Sequence, residues 1–173
     1  APLSYQQEDG NPAGYTPLIC VSVAQSIANA LKLENLDVAF VPVTTEDRFE
    51  KVASGEIDLL CGAATITLDR REIVDFSDPV YVDGTAILLP NGVQGSLSDL
   101  AGKKLGVRAA TTTEEALDLS LSAANLTAEV ITFENHADGI SAMESKEIDA
   151  YFADQSILMG LFQSSPKASE MMI

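Results

Sequence analysis

Segments with the pattern of helices and segments with the composition of strands alternate along almost the whole chain. Apolar runs of strand length, residues 128–133 and 148–153, are each followed by a segment with helical patterning, residues 136–145 and 155–163. Strands separated by helices of this length are typical of parallel sheets covered by helices. The sequence therefore predicts an α/β fold.

The same alternation continues in the rest of the chain. Further helices are predicted over residues 17–32, 46–55, 68–74 and 112–123, and further strands over 37–43, 57–62, 84–90 and 103–109. Gly55, at the end of one predicted helix, is typical of a helix C-cap. Residues 91–102 are rich in glycine and lack a clear period, which predicts an irregular connection.

Charge narrows the range of partners. The chain has 10 Lys and Arg against 26 Asp and Glu, for a formal net charge of −16. Nucleic acids and anionic membrane surfaces require clustered cations, so neither is an expected partner. No apolar run reaches the length of about 18 residues that a membrane-spanning helix needs. A hydrophobic fraction of 46% predicts a folded, globular chain.

The residue types that several reactions need are scarce. His136 is the one histidine and stands at a predicted helix start, which disfavours a histidine-based triad and a two-histidine metal site. Neither a dinucleotide-binding glycine motif nor a P-loop occurs. Carboxylates are numerous, but nothing singles out two of them as an acid/base pair. The sequence therefore predicts no catalytic residue, no metal and no cofactor, and it favours a binding site over a reaction site.

The two cysteines leave two possibilities open. Cys20 falls on a predicted helix and Cys61 on a predicted strand. They form either one disulfide in an oxidising compartment or two buried thiols, and their spacing does not decide between these states.

Residues 52–63 and 142–154 repeat one layout. In each stretch a helix end is followed by Glu-Ile-Asp and an apolar strand, so that Ala63 corresponds to Asp154. The repeat is either chance similarity between two helix–strand junctions or the sign of two similarly built lobes. In the second case both residues stand at strand ends, where α/β proteins bind their ligands.

Two adjacent arginines, Arg70 and Arg71, stand in the first turn of a helix that Thr67 is expected to cap. The positive end of the helix dipole disfavours a cation there by about 0.3–1 kcal/mol. For Arg71 we expect neutralisation by neighbouring acidic residues on the surface. For Arg70 two interpretations remain: the same neutralisation, or an anion clamp in which a planar guanidinium grips a carboxylate.

One long motif resembles a known family. Residues 48–90 contain G-x-x-D, an apolar strand, T-x-T-x-x-R and D-F-S-x-P-x-Y. They closely resemble the amino-acid-binding branch of the bacterial extracellular solute-binding proteins, family 3, which are receptors of ABC transporters. Residues 4–20, 100–117 and 139–166 resemble further parts of these receptors.

The resemblance implies a two-lobed, periplasmic-binding-protein-like fold of type II, with crossover strands between the lobes and the ligand in the cleft. It divides the chain into lobe 1, residues 1–85, and lobe 2, residues 86–173. The family's first strand and C-terminal segment are not matched. We therefore expect a receptor trimmed at both ends, whose lobe 2 is incomplete and whose exposed sheet edges favour self-association. A chain that begins at Ala1 and not at Met is expected to be either a processed product that has lost a signal peptide or a part excised from a longer protein.

In lobe 1 the resemblance implies four binding residues. Arg70 is similar to the arginine that clamps the ligand's α-carboxylate, and Thr65 to the hydroxyl residue that contacts the α-amino and α-carboxylate groups. Ala63 matches a position that offers its backbone carbonyl to the amino group. Arg48 matches an arginine that meets the side-chain carboxylate in relatives that bind glutamate and aspartate. The alternative for Arg48 is a surface arginine paired with nearby acidic residues.

In lobe 2 the resemblance implies three more binding residues. Thr111 and Thr112 match a helix start whose N–H groups receive the carboxylate. Thr112 and Glu115 also have capping-box spacing, and helix N-termini bind anions. Asp154 matches the acid that pairs with the α-ammonium.

The implied function is extracytoplasmic binding of a polar amino acid for delivery to an ABC transporter permease, with glutamate or aspartate first and glutamine next. The implied location is periplasmic or extracellular, either secreted or membrane-anchored. Two alternatives remain, a periplasmic dehydratase of cyclohexadienyl acids such as arogenate and a ligand-sensing module of a larger membrane receptor. The match of Asp154 to an amino-group ligand favours binding without catalysis.

Overall fold

The structure is a computed structural model that describes residues 2–173. The chain divides into two compact units, and the boundary falls between Val80 and Tyr81. The predicted lobe boundary after residue 85 lies inside the second unit, and the assignment of the units as ligand-binding lobes stays a prediction. Within the described residues, no helix combines the length and the hydropathy that crossing a membrane requires.

The elements of the first unit are β1 (Tyr5–Gln6), β2 (Pro12–Ala13), α1 (Tyr15–Leu31), α2 (Arg48–Ala53) and α3 (Leu68–Arg71). The elements of the second unit are β3 (Thr85–Pro90), β4 (Lys104–Arg108), α4 (Thr112–Ala123), β5 (Glu129–Phe133), α5 (His136–Glu144), β6 (Ala150–Asp154), α6 (Gln155–Ser164) and β7 (Met171–Met172). Short 3-10 turns lie at residues 97–100 and 168–170.

Helix α1 is fastened to the rest of the first unit close to its N-terminus. The buried Thr16 Oγ1 lies 3.0 Å from the Leu3 carbonyl oxygen and 3.1 Å from that of Cys61. At Gly14, φ is 114°, and a Cβ would lie 2.6 Å from the Leu3 oxygen, so glycine alone fits. Cys20 on the helix is disulfide-bonded to Cys61, with the two Cα atoms 6.2 Å apart. The state of the cysteines that the sequence left open is therefore the disulfide.

The strands predicted over residues 37–43 and 57–62 are wrong. Neither segment joins a ladder in the described part of the chain. Val38, Val41 and Leu59 are 47%, 47% and 49% exposed. A strand forms only when its backbone N–H and C=O groups pair with a neighbour, and an apolar run predicts burial without specifying that neighbour.

The two copies of the sequence repeat have the same backbone structure at their helix ends. The residues that follow the C-caps of α2 and α5, Gly55 and Lys146, are both left-handed, with φ of 74° and 63°. In both copies the next N–H donates to the carbonyl five residues earlier: Glu56 to Lys51 at 3.0 Å, and Glu147 to Ala142 at 2.9 Å. These are the bonds that close a helix with a left-handed residue. The second copy continues into β6, whereas the first continues into residues without a ladder.

The second unit is built on a five-stranded sheet in the order β5-β4-β6-β3-β7. Strand β4 is parallel to both β5 and β6, which confirms the predicted parallel arrangement for these strands. Strand β3 is antiparallel to β6 and to β7, so for β3 that prediction is wrong. Residues 91–103, which connect β3 to β4, contain a 3-10 turn and not the crossover helix that two parallel strands require. Strand β4 therefore runs opposite to β3, and so does β6, which is parallel to β4.

Strand β6 is central and is buried on both faces. On one face, Phe152 belongs to a cluster with residues of β4 and α4, namely Leu105, Val107, Leu117 and Leu121. On the other face, Tyr151 is fully buried and lies against α5. A Cβ at Gly139 would lie 2.2 Å from the Tyr151 ring, so the helix approaches the strand this closely only because it carries a glycine there.

Candidate functional site

The short helix α3 has the cap that the sequence predicts. The Thr67 hydroxyl oxygen accepts a hydrogen bond from the Arg70 backbone N–H at 3.2 Å. The side chain of Arg70 reaches back along the chain, and its Nη1 donates to the Thr65 carbonyl at 2.9 Å. Arg70 is half-buried, whereas Arg71 is exposed and its guanidinium carbon lies 6.0 Å from the centre of the Phe76 ring. The two adjacent arginines therefore have different environments.

Arg48 lies inside the first unit. It is 8% exposed, and its Nη1 donates to the Ala63 carbonyl at 3.2 Å. The alternative of a surface arginine is therefore wrong. The adjacent Asp47 lies 3.1 Å from Lys51 Nζ, so this neighbouring carboxylate forms an ion pair with a different cation.

The two arginine side chains meet at one aromatic ring. The guanidinium carbons of Arg48 and Arg70 lie 4.8 and 4.9 Å from the centre of the Phe49 ring. An aromatic face attracts cations at this distance, by about 0.5–2 kcal/mol each. The ring therefore stabilises two positive charges that donate to carbonyls two residues apart, those of Ala63 and Thr65. The four site residues predicted in lobe 1 are thus brought together.

In the second unit, the predicted capping residue is displaced by one position. Thr111 is the N-cap of α4, and its hydroxyl accepts from the Glu114 N–H at 3.3 Å and donates to the Arg108 carbonyl at 2.7 Å. The Glu114 carboxylate in turn accepts from the Ala110 N–H at 2.8 Å. The predicted capping box of Thr112 with Glu115 is therefore wrong, since α4 begins at Thr112 itself. Glutamates in the first turn oppose the positive end of the helix dipole, which makes this N-terminus less attractive to an anion.

Asp154 is the last residue of β6 and the N-cap of α6. Its side chain makes no capping hydrogen bond. The backbone N–H of Ser156 instead donates to Oδ2 of Asp83, at 3.1 Å. The register pairs Asp154 with Thr85, so Asp83 stands two residues before the partner of Asp154 in the ladder.

His136 forms a hydrogen bond in the interior of the second unit. Its Nδ1 lies 3.0 Å from the hydroxyl oxygen of Tyr151, and the two rings meet edge to face. Burial, with a smaller contribution from the charge of Arg108, lowers the pKa of His136 from 6.5 to about 4. Burial also raises the pKa of the Tyr151 hydroxyl well above its usual range. The pair is therefore neutral near pH 7.

Two residues of this region, Phe49 and Asp83, were not among the site residues predicted from the sequence. Phe49 follows Arg48 directly, and an aromatic residue beside a buried arginine was the available signal. Asp83 precedes a glycine, which indicates a turn. That pattern gives no sign of the contact with Ser156, which is distant in sequence. No cluster of three or more His, Cys, Asp or Glu side chains suited to a metal ion occurs within residues 2–173.

Comparison with known proteins gives matches over most of the chain. Residues 1–137 match the family model of the bacterial extracellular solute-binding proteins, family 3. The glutamate/aspartate import solute-binding protein of Salmonella typhimurium is 28% identical over 92% of this chain and 53% of its own length. The L-glutamate/L-aspartate-binding protein of Pseudomonas aeruginosa is 28% identical over 99% of this chain and 58% of its own. The chain thus spans about half the length of these curated relatives.

A solved structure extends the similarity to three dimensions. An ancestral arginine-binding protein bound to arginine is 29% identical and superposes with a TM-score of 0.82. The match covers 99% of this chain and 72% of that one.

Proposed function

Because the chain belongs to the bacterial extracellular solute-binding proteins, family 3, we propose that it binds a polar amino acid outside the cytoplasm and delivers it to the permease of an ABC transporter. The proposed ligand is glutamate or aspartate first and glutamine next, and the two relatives named for glutamate and aspartate support this order. The Cys20–Cys61 disulfide supports an oxidising location such as the periplasm.

The observation that carries the proposal is the pair of arginines at Phe49. A guanidinium has five N–H donors, so one bond to a backbone carbonyl is compatible with a bidentate bond to a carboxylate. We assign the ligand's α-carboxylate to Arg70 and its side-chain carboxylate to Arg48. Thr65 contributes its hydroxyl. The Ala63 carbonyl accepts from the α-ammonium through the lone pair that its bond from Arg48 leaves.

The residues of the second unit complete the assignment. We assign the α-ammonium to Asp154, whose carboxylate does not cap its own helix. Thr111 and Thr112 supply the start of α4 for the α-carboxylate. Because first-turn glutamates weaken that helix start as an anion site, Arg70 carries the larger share of carboxylate binding.

Isothermal calorimetry with L-glutamate tests the clamp. Arg70→Ala should weaken binding by on the order of 2–5 kcal/mol, the cost of truncating one partner of a desolvated charge pair. Arg71→Ala is the matched control, because it removes the same charge from the adjacent exposed position. It should bind within a fewfold of the wild type. An Arg70→Ala protein that keeps its affinity would refute the clamp.

Competition between ligands tests the role of Arg48. Arg48→Gln should weaken L-glutamate far more than L-glutamine, because a charge partner rejects a ligand that leaves it unpaired. The loss of the bond to Ala63 affects both ligands alike, so their ratio isolates the selectivity. L-Arginine belongs in the same assay, since a structural neighbour binds it. Equal losses for glutamate and glutamine, or a wild type that prefers arginine, would refute the acidic specificity.

We also propose that the chain binds without catalysing a reaction. An assay of arogenate turnover tests this directly, because a dehydratase of cyclohexadienyl acids is the enzyme that the sequence resemblance offers as an alternative. Turnover that a binding-site variant such as Arg70→Ala abolishes would make the chain an enzyme.

A further inference from the structure

Residues 57–66 carry two carbonyls of the candidate site, those of Ala63 and Thr65, which accept from Arg48 and Arg70. This segment joins no ladder in the described part of the chain. A strand inside a sheet is held in place by backbone hydrogen bonds to its neighbours. For residues 57–66, contacts of another kind must fix the position of the two carbonyls.

Side-chain donors bind every second carbonyl of this segment. The Thr16 hydroxyl lies 3.1 Å from the Cys61 carbonyl oxygen. The next two carbonyls in the alternation, those of Ala63 and Thr65, are the ones that the arginines bind. An arginine side chain has several rotatable bonds, so holding it in one conformation costs entropy. Each arginine is therefore held more firmly when the carbonyl that it binds is itself fixed.

Cys61 is fixed by one face of α1. Thr16 and Cys20 are four residues apart, so they lie on the same side of the helix. Thr16 binds the backbone of Cys61, and Cys20 binds its side chain through the disulfide. Because Cys61 is held at both places, its position and its orientation are fixed. Ala63 and Thr65 follow it by two and four residues, so the same attachment limits where their carbonyls lie.

We propose that the Cys20–Cys61 disulfide is a positioning element of the amino-acid site: by holding Cys61 against α1, it keeps in place the two carbonyls that orient the arginine side chains before the ligand binds. The inference rests on the proposed function for the identity of that ligand. Without the disulfide, residues 57–66 have more conformations, and the ligand itself has to order the arginines. That ordering is a cost of binding, so the affinity falls.

This role differs from the ordinary stabilisation that a disulfide provides. A cross-link that acts on the unfolded chain raises the free energy of unfolding and leaves the folded state as it is. It therefore leaves the affinity of the folded protein unchanged. A positioning disulfide changes that affinity, so the two roles can be separated once the folded fraction is known.

Calorimetry with L-glutamate is the first measurement, on a variant that carries both Cys20→Ser and Cys61→Ser. Urea unfolding gives the folded fraction, by which the apparent dissociation constant is corrected. The corrected affinity should fall by about 5- to 100-fold, the cost of immobilising two long side chains when the ligand binds. A phosphine reductant supplies the two electrons that turn the disulfide into two thiols. It should weaken the wild type by the same factor and leave the double variant unchanged.

Ala28→Gly is the control for a general loss of stability. Ala28 is buried on α1, eight residues beyond Cys20, and a glycine there weakens the helix. The corrected affinity of this variant should stay within about twofold of the wild type. A double serine variant with wild-type affinity after the correction overturns the proposal, because the disulfide then acts only on the unfolded chain. An equal loss in Ala28→Gly also overturns it, because any weakening of α1 then affects the site.

NMR of the arginine side chains tests the positioning without any ligand. Rotation of a guanidinium group about its Nε–Cζ bond is slowed when an Nη atom holds a hydrogen bond. In the reduced protein, this rotation should be faster for Arg48 and Arg70, whereas that of the exposed Arg71 should not change. Unchanged rotation at Arg48 and Arg70 overturns the proposal. A wild type that binds no amino acid defeats the proposed function, while this measurement still decides whether the disulfide orders the arginines.

Discussion

Acid should destabilise the second unit through one identifiable group, His136. The unfolded chain has an ordinary histidine pKa of 6.5, and the folded chain holds the pKa of His136 at about 4. The unfolded state therefore binds the proton more tightly. The resulting stability is fully present above pH 6.5 and is lost as the pH falls toward 4. A difference of about 2.5 units corresponds to about 3 kcal/mol, of which about 2 kcal/mol is lost by pH 5.

The cause of the effect is the closed environment of the imidazole. Its Nδ1 contacts the Tyr151 hydroxyl, and Arg108 is the nearby charge that further disfavours the imidazolium. On the same helix, Asp138 is a carboxylate of the opposite sign, but its side chain accepts a hydrogen bond from Asn135. Both the burial of the imidazole and the like charge of Arg108 therefore disfavour the protonation of His136.

Two experiments measure this effect. Because the chain has a single histidine, its Hε1 proton resonance titrates without ambiguity and gives the folded pKa directly. Urea unfolding of the wild type and of His136→Gln at pH 7, 6 and 5 gives the free energy of unfolding. The wild type should lose about 2 kcal/mol more than the variant between pH 7 and pH 5, because glutamine keeps a polar side chain that does not titrate. A folded pKa at or above 6, or parallel pH profiles for the two proteins, would refute the reasoning.

Two further predictions concern stability. Replacing Cys20 and Cys61 by serine should lower the free energy of unfolding of the first unit by about 4 kcal/mol, since the bond closes a loop with a sequence separation of 41. Urea unfolding with and without reductant checks this, and a reductant without effect on the wild type contradicts it. Gly139→Ala should destabilise the second unit by about 1–3 kcal/mol through contact with Tyr151, although alanine normally favours a helix. Gly62→Ala, where a Cβ meets nothing within 4 Å, is the control in thermal melts, and equal melting temperatures for the two variants would contradict the clash.

The fold class could be predicted because local sequence patterns correctly indicate most helices and strands of the second unit. Helix α4 was predicted over residues 112–123 and is found there, and β5 and α6 differ from their predicted bounds by one residue. The α/β fold of the periplasmic-binding-protein type is confirmed by the similarity to the solved arginine-binding structure. In the first unit, the structure contains the three predicted helices but not the strands predicted at residues 37–43 and 57–62. Periodicity reports which residues prefer burial, whereas a ladder depends on a partner that periodicity does not identify.

The candidate site also contains features that local sequence patterns predict and features that they do not. The cap of α3 by Thr67 was predicted because an N-cap is a local pattern, and the structure confirms it. The assignment of the cap to Thr112 was wrong by one residue, because three consecutive threonines offer the same side chain to each candidate helix start. Phe49 and Asp83 contact residues far along the chain, Arg70 and Ser156, and the local signals at these two positions do not reveal those contacts. The binding roles assigned through the family resemblance stay predictions until the calorimetric measurements are made.

The order of the sheet has a consequence for synthesis on the ribosome. Strand β3 is the first strand of the second unit to be made, yet both of its neighbours, β6 and β7, come after every other strand of that sheet. Ile87 can pair only after Phe152 has been made, and Leu89 only after Met172. At about 5–20 residues per second, that delay is on the order of several seconds. Throughout it, the apolar segment 85–90 leaves the ribosome exit tunnel without a ladder partner, so the nascent chain presents a binding site for chaperones before the unit can close.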